Sequence, residues 1–410
     1  MPVRLFTPGH GQIMDTFICH GLSWLLHGSK GTIFPLNQRY LIELDKKPDW
    51  QELVDFLSTN LQQILNRYQD IEALINERRK LGRASGRREE ILDLLRGYTN
   101  TPGGRLHMAL ETQGAANARA ALNKVKEALK EIENLNPDLS RVYTEDHALR
   151  YGEGRKGLAS ASKRTVRVKA EKVKTFTAPL PVIGSAGKYA TSLYGYRPDA
   201  VKVCPWDLAL SWLGLCVSAA VIREGRGEGV TIITLRPALR VRISEIRLSQ
   251  FFSMGAQMAN TLPLAAAVVS SLSKVGGIRS FETEDEVNAS ALEKIEPARW
   301  SVIAYRFEQQ QPGRPYAIRR VSEYPAFRLL RFIKEARNEG VNLARIMDEL
   351  IRRGDVDVLE LMAESIIYGD LNGFASSVRA AFSSLSSGDV DRSRLLDERL
   401  AKVAVNVLSS

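Results

Sequence analysis

Cysteine is scarce in this chain: three residues in 410, Cys19, Cys204 and Cys216. They are too few and too scattered for a disulfide framework or a zinc site built on thiolates, and they suit a reducing, intracellular compartment. Long apolar runs are also missing. The longest, Leu208–Ile222, falls short of the roughly 20 residues that span a bilayer and reads as a buried helix. The opening MPVRLFTPGHG has no apolar core of signal-peptide length, so a cytoplasmic protein without a membrane partner is expected. Histidine numbers only five, His10, His20, His27, His107 and His147, and no two form HExxH or HxxxH. Gly152–Gly157 formally matches GxGxxG, but ASASKRTVRV follows it where a nucleotide fingerprint needs a helix start. Gly187-Lys188 fails as a phosphate loop because Val182 stands where glycine is needed and Tyr189 replaces Ser or Thr. With no GxSxG, CxxC or kinase set either, the absences favour a binding protein over an enzyme, and no cofactor is expected.

What is abundant is positive charge. The formal net charge is +10 and the sequence pI about 9.5, an excess that suits nucleic acid or another anionic partner. It concentrates in Tyr151–Lys174, YGEGRKGLASASKRTVRVKAEKVK. Three glycines in six residues open this stretch. Arg155, Lys156, Lys163, Arg164, Arg167, Lys169, Lys172 and Lys174 stand against Glu153 and Glu171, eight charges minus two. Val166, Val168 and Ala170 alternate with Arg167, Lys169 and Glu171, the pattern of a strand with one basic side. Such a loop and strand has little to bury, and a polyanion that supplies countercharge and releases condensed ions would order it. The plainer alternative is a solvated surface hairpin. Further basic segments are Arg78–Arg88 and the arginines Arg236, Arg240, Arg242 and Arg247. Tyr189, Tyr194, Tyr196 and Trp206 lie between them, suited either to stacking single-stranded bases or to ordinary packing.

With 44% hydrophobic and 25% charged residues the chain is long enough for two or three globular domains. Spacing predicts a helix over Ile13–Leu26, a strand or hairpin over Thr32–Leu44, and a long amphipathic helix capped by Asp49 with Glu52 three residues on. Glu89–Leu95 predicts a short helix, Thr99–Arg105 a loop, and Leu106–Leu135 a long Ala-rich helix. A buried helix is expected at Trp206–Ile222 and strands at Val230–Leu235, Leu239–Ile243 and Trp300–Phe307, with helix over Phe251–Ser273. From about Val321 five helical segments separated by glycines predict a C-terminal bundle. The expected fold is therefore α+β: a mixed portion over 1–320 with a basic loop or hairpin insertion at about 141–175, then an all-α bundle over 321–410.

The N-terminal pattern Thr7-Pro8-Gly9-His10-Gly11, followed by Asp15 to Leu22 (DTFICHGL), resembles the start of the large subunit of archaeal type I-A CRISPR interference complexes (Cascade). The basic middle and helical C-terminus are compatible with that family across the whole chain. The resemblance implies a non-enzymatic subunit that holds the guide-RNA handle, helps recognise the short protospacer-adjacent motif of double-stranded target DNA, and recruits a separate helicase and nuclease. It implies backbone, handle-binding and small subunits as further partners. Base pairing reads the sequence in such systems, while protein reads flanking pairs and the backbone. The site residues are expected from charge and loop position, not carried over from the family. They are Asn100, whose amide could reach a base edge, the eight basic residues of the 155–174 stretch, and Arg240 and Arg242. Two readings from other classes stay open: a metal-dependent nuclease using His10, Asp15, His20 or Glu145 and Asp146, and a stand-alone RNA-binding structural protein.

Overall fold

A computed structural model describes residues 2–81, 86–111, 115–153, 171–178, 182, 201–225, 229–258, 261–276, 291–309, 316–387 and 393–409. No helix among them is long and apolar enough to cross a membrane. Their buried side chains form one contiguous core running from Leu5 to Leu408.

Two sheets organise the first three-quarters of the chain. The smaller joins β1 (Val3–Phe6), β2 (Gly31–Leu36), β3 (Arg39–Leu44) and the two-residue β8 (Val241–Arg242) in the order β1-β3-β2-β8, every pair antiparallel. The β2–β3 hairpin turns at Asn37, whose φ of 54° is the left-handed conformation that asparagine tolerates best after glycine. A separate short ribbon pairs β4 (Phe176–Thr177) with β5 (Lys202–Val203). The larger sheet has the order β11-β10-β7-β6-β9, formed by Tyr316–Pro325, Trp300–Gln309, Gly229–Pro237, Ala219–Glu224 and Met254–Met258. Within it, only β6 and β9 pair in parallel. Every residue of β7 (GVTIITLRP) is buried, Thr231, Thr234 and Arg236 included.

The helix α1 (Gln12–Leu25) crosses the Pro205–Ser218 helix at unusually close range. A Cβ added to Gly214 would lie 1.8 Å from the Phe17 carbonyl oxygen, and one added to Gly21 would lie 2.3 Å from that of Leu210. Each helix thus offers a glycine where the other brings up its backbone. The long helix α2 (Trp50–Lys80) starts as its capping residues dictate, with the Asp49 carboxylate accepting from the Gln51 and Glu52 amides. Five C-terminal helices follow: Ala326–Asn338, Leu343–Arg353, Val356–Tyr368, Leu371–Ser386 and Glu398–Leu408. The α+β class and the helical C-terminal region therefore stand as the sequence predicts, with the helices starting at Ala326 after strand β11.

Several elements differ from expectation. The helix expected to reach Ile222 stops at Ser218, and Ala219–Glu224 becomes a strand between β7 and β9. A fully buried strand and a fully buried helix are equally apolar, so periodicity does not separate them. The strand expected over 239–243 shrinks to Val241–Arg242, because the Glu245 carboxylate caps the Arg242 amide at 2.6 Å and starts a helix at Ile243. Phe251–Ser273 splits into strand β9 and a helix over Leu264–Gly276. The loop expected over 99–105 is helical from Pro102, proline being suited to a first helical position, and the helix expected over 106–135 is described as Pro102–Glu111 and Ala115–Glu133, residues 112–114 lying outside the described residues.

Candidate functional site

The residues expected to bind nucleic acid meet different fates. Arg155, Lys156, Lys163, Arg164, Arg167 and Lys169 lie outside the described residues, as do Tyr189, Tyr194 and Tyr196. Lys172 is exposed. Lys174 is half-exposed, pairs with Glu127 at 2.9 Å and sits 5.5 Å from the Phe176 ring centroid, so its charge is already partly answered within the fold. Arg240 and Arg242 are exposed, and the Arg240 guanidinium lies 5.2 Å from the Phe34 ring centroid. They stand beside the edge strand β8 of the small sheet, not on a long basic strand.

Asn100 is found where a ligand could reach it. It lines a cleft of about 1600 Å³ together with Arg67, Arg247, Lys274 and Arg345. The cleft lies between α2, the Thr99–Pro102 corner, strand β9 and the Leu343–Arg353 helix. The Asn100 side-chain oxygen accepts from the Gly255 amide at 2.9 Å, so only its amide nitrogen is left for another partner. Arg105, on the cleft wall, is a structural strut: buried, it donates to the Cys216 carbonyl at 2.8 Å and to the Asn100 carbonyl, and burial lowers its pKa to about 10. Five cations on the walls face Asp70, Asp348 and Glu349, and Lys274 and Arg67 are already paired with two of these, so the cleft is only mildly basic.

The most concentrated chemistry lies elsewhere, in a buried cluster that brings together residues far apart in sequence. The Thr7–Gly11 turn begins it. Gly9 and Gly11 adopt φ of 85° and 138°, and the Asp15 carboxylate accepts from both of their amides at 2.8 and 3.1 Å. The turn thereby delivers His10 inward, its side chain 2% exposed. The His10 Nε2 lies 2.9 Å from Asp207 Oδ2 and 3.0 Å from Glu153 Oε2. The His147 Nε2 lies 3.2 Å from the same two oxygens and 3.7 Å from the Cys204 sulfur. All of these side chains are between 0 and 2% exposed. Three of them are fixed at a second atom: His147 Nδ1 is 2.7 Å from the Val142 carbonyl, Tyr143 donates its hydroxyl to Asp207 Oδ1 at 2.8 Å, and the Cys204 amide donates to Glu153 Oε1 at 2.6 Å.

Burial and charge pull against one another here. Burial alone would lower both histidines, but the Glu153 and Asp207 carboxylates outweigh it, raising His10 to about 10 and His147 well above its ordinary value. Burial would raise Asp207, yet the two histidines hold it below the usual carboxylate range. Cys204 is pushed well up by burial and by the neighbouring carboxylates. One carboxylate oxygen, Glu153 Oε2, has no aligned hydrogen bond although two ring nitrogens are within 3.2 Å, because both imidazoles align with Asp207 Oδ2 instead.

Sequence spacing does not assemble this cluster. It groups His10 with Asp15 and His20, but His20 turns away to lie 2.7 Å from the Leu235 carbonyl and Asp15 is spent on the turn. Glu145 is exposed and Asp146 accepts from the Thr144 hydroxyl at 2.6 Å, so the acids proposed for a nuclease do not converge with them. A signal was present in Cys204 and Asp207 at one helix start, both polar in an otherwise apolar run.

Comparison with known proteins gives this geometry a family. A sequence profile described as CRISPR-associated protein (Cas_Csa4) matches residues 3–405. The chain belongs to that family. The resemblance read from Thr7–Gly11 and Asp15–Leu22 is thus met, and in this Cas_Csa4 chain those residues build the turn that carries His10. A relative from Thermoproteus tenax, named CRISPR system associated protein Cas8, is 29% identical over 259 residues. That match spans 61% of this chain and 62% of the relative's length. A second, from Methanocaldococcus jannaschii and named CRISPR-associated protein Cas8a2/Csa4, is 22% identical over 372 residues, spanning 87% of this chain and 82% of its own.

Proposed function

We propose that this chain is the large subunit of a type I-A CRISPR interference complex and breaks no covalent bonds itself. It contacts the guide-RNA handle and the target DNA duplex, helps recognise the protospacer-adjacent motif, and brings in the helicase and nuclease alongside the backbone, handle-binding and small subunits. The observation that carries this reading is the family match over residues 3–405. The net charge of +10 supports a polyanionic partner. The stretch with six net positive charges between Tyr151 and Lys174 supplies the phosphate contacts, and the Asn100 cleft offers a donor at its rim. Residues 1–320 would form the nucleic-acid-binding part and 321–410, whose first five residues complete strand β11, the helical part.

The test replaces Arg155, Lys156, Lys163 and Arg164 together by Ala in the assembled complex and measures duplex binding against salt. Every phosphate that goes unneutralised lowers the slope of log affinity on log salt by about 0.9, so four should flatten it by roughly 3–4. An unchanged affinity and slope would remove this stretch from the DNA path.

A further inference from the structure

We propose that His147, Glu153, Cys204 and Asp207 form a buried structural zinc site, with His10 against its two carboxylates, that staples together the two ends of the segment bearing the basic stretch. Four donor atoms point to it by their positions, whether or not that stretch touches nucleic acid. In the four core residues the donor atoms fall within 4.8 Å of one another. Zinc bonds of about 2.0–2.1 Å to N and O put tetrahedral ligand atoms ~3.4 Å apart, and a bond of ~2.3 Å to sulfur puts S and N ~3.6 Å apart. The spacings here are 2.9 to 3.2 Å between nitrogen and oxygen and 3.7 Å between sulfur and nitrogen. A modest rearrangement of the cluster, widening the nitrogen–oxygen spacings and drawing in the widest, would admit the ion.

The donors are also presented as ligands are. Metal-bound histidines usually donate their other ring N–H to a carbonyl or carboxylate, which fixes the tautomer. His147 Nδ1 meets the Val142 carbonyl, so Nε2 faces the centre, and its lone pair becomes available to a metal once its proton leaves. Each carboxylate spends one oxygen on a fixed donor, Tyr143 or the Cys204 amide, and turns the other inward. Glu153 Oε2 is buried without an aligned hydrogen bond and is met by the charge of the two rings 3.0 and 3.2 Å away, a charge that a zinc ion would take over as the rings release their protons. Imidazole and thiolate donors select zinc over magnesium or calcium, which take oxygen ligands. Complete burial suits a closed structural site, since a catalytic metal needs an open position.

Position gives the site its purpose. Glu153 immediately precedes residue 154 and Cys204 follows residue 203, so the ligands bracket the segment that contains Arg155 to Lys174. His10 ties that base to the N-terminal turn, and Asp207 to the first turn of the Pro205–Ser218 helix.

The test uses the full chain, expressed with zinc, stripped of loosely bound ions by gel filtration and analysed by plasma mass spectrometry. One zinc per chain is expected. The cobalt(II) form should show a thiolate-to-metal charge-transfer band that disappears in Cys204→Ser and persists in Cys19→Ser, whose thiol is equally buried but is not among the donors. Tyr143→Phe should bind the metal roughly 10- to 100-fold more weakly, as loss of an orienting partner does. A wild-type chain that takes up no stoichiometric zinc or cobalt on reconstitution overturns the proposal, whatever the variants do. So does a charge-transfer band that survives Cys204→Ser.

Discussion

Gly214→Ala is expected to destabilise the protein, although the same change in an ordinary helix does the opposite. Gly214 lies inside the Pro205–Ser218 helix, where alanine is normally worth about 1 kcal/mol more than glycine. Here the new Cβ would sit 1.8 Å from the Phe17 carbonyl oxygen, 2.6 Å from its carbonyl carbon and 2.9 Å from its Cα. Ordinary contact needs about 3.5 Å, so the two helices must part by well over 1 Å. All three atoms are backbone, which leaves no side chain to rotate away. Parting the helices would loosen Phe17, Leu22, Leu210 and Leu213, all fully buried, and overpacking of this kind costs ~3 kcal/mol at its upper end. Offset by the helical gain, the net loss should be about 2 kcal/mol. Gly97→Ala provides the control: Gly97 is exposed in the Gly86–Thr99 helix, with nothing within 4 Å of an added Cβ. It should stabilise by up to ~1 kcal/mol. Urea unfolding followed by circular dichroism, with unchanged m-values, compares the two midpoints. Midpoints that shift in the same direction would refute the close-approach argument.

Three further outcomes follow from the same structure. Arg306 donates to Glu224 at 2.9 Å and to the Thr231 hydroxyl at 3.0 Å inside the large sheet, so Arg306→Met alone should cost about 3–5 kcal/mol, whereas the double change Arg306→Met with Glu224→Leu should recover much of it in a urea-midpoint cycle. Burial holds His20 at about 4, below the 6.5 of the unfolded chain, so it stays neutral when folded. Its stabilising contribution, about 3 kcal/mol, is complete above pH 6.5 and is lost as the pH falls towards 4; His20→Gln should show a correspondingly shallower acid loss of stability than wild type, and parallel profiles would contradict this. Lys174→Ala should lower duplex affinity of the assembled complex less than Lys172→Ala, because Lys174 already pairs with Glu127 while Lys172 is exposed; the reverse order in a binding titration would argue against that partition.

Much of the architecture was set by local pattern alone. The Asp49 cap, the five glycine-separated C-terminal helices and the β2–β3 hairpin are decided by residues within one or two turns of each other, and the sequence locates them. Its excess of positive charge and its Thr7–Leu22 pattern also carried the family. What it could not place was anything settled between distant segments. Ala219–Glu224 is a strand because β7 and β9 flank it, while its own apolarity suits a helix equally well. Gly21 and Gly214 gain their meaning only where two helices cross. The cluster of His10, His147, Glu153, Cys204 and Asp207 joins positions nearly 200 apart, and a lone histidine or cysteine in sequence gives no sign of which others will meet it. Convergence of that kind is a property of packing: the chain's order fixes which donors exist, and only the closed core fixes the distances between them.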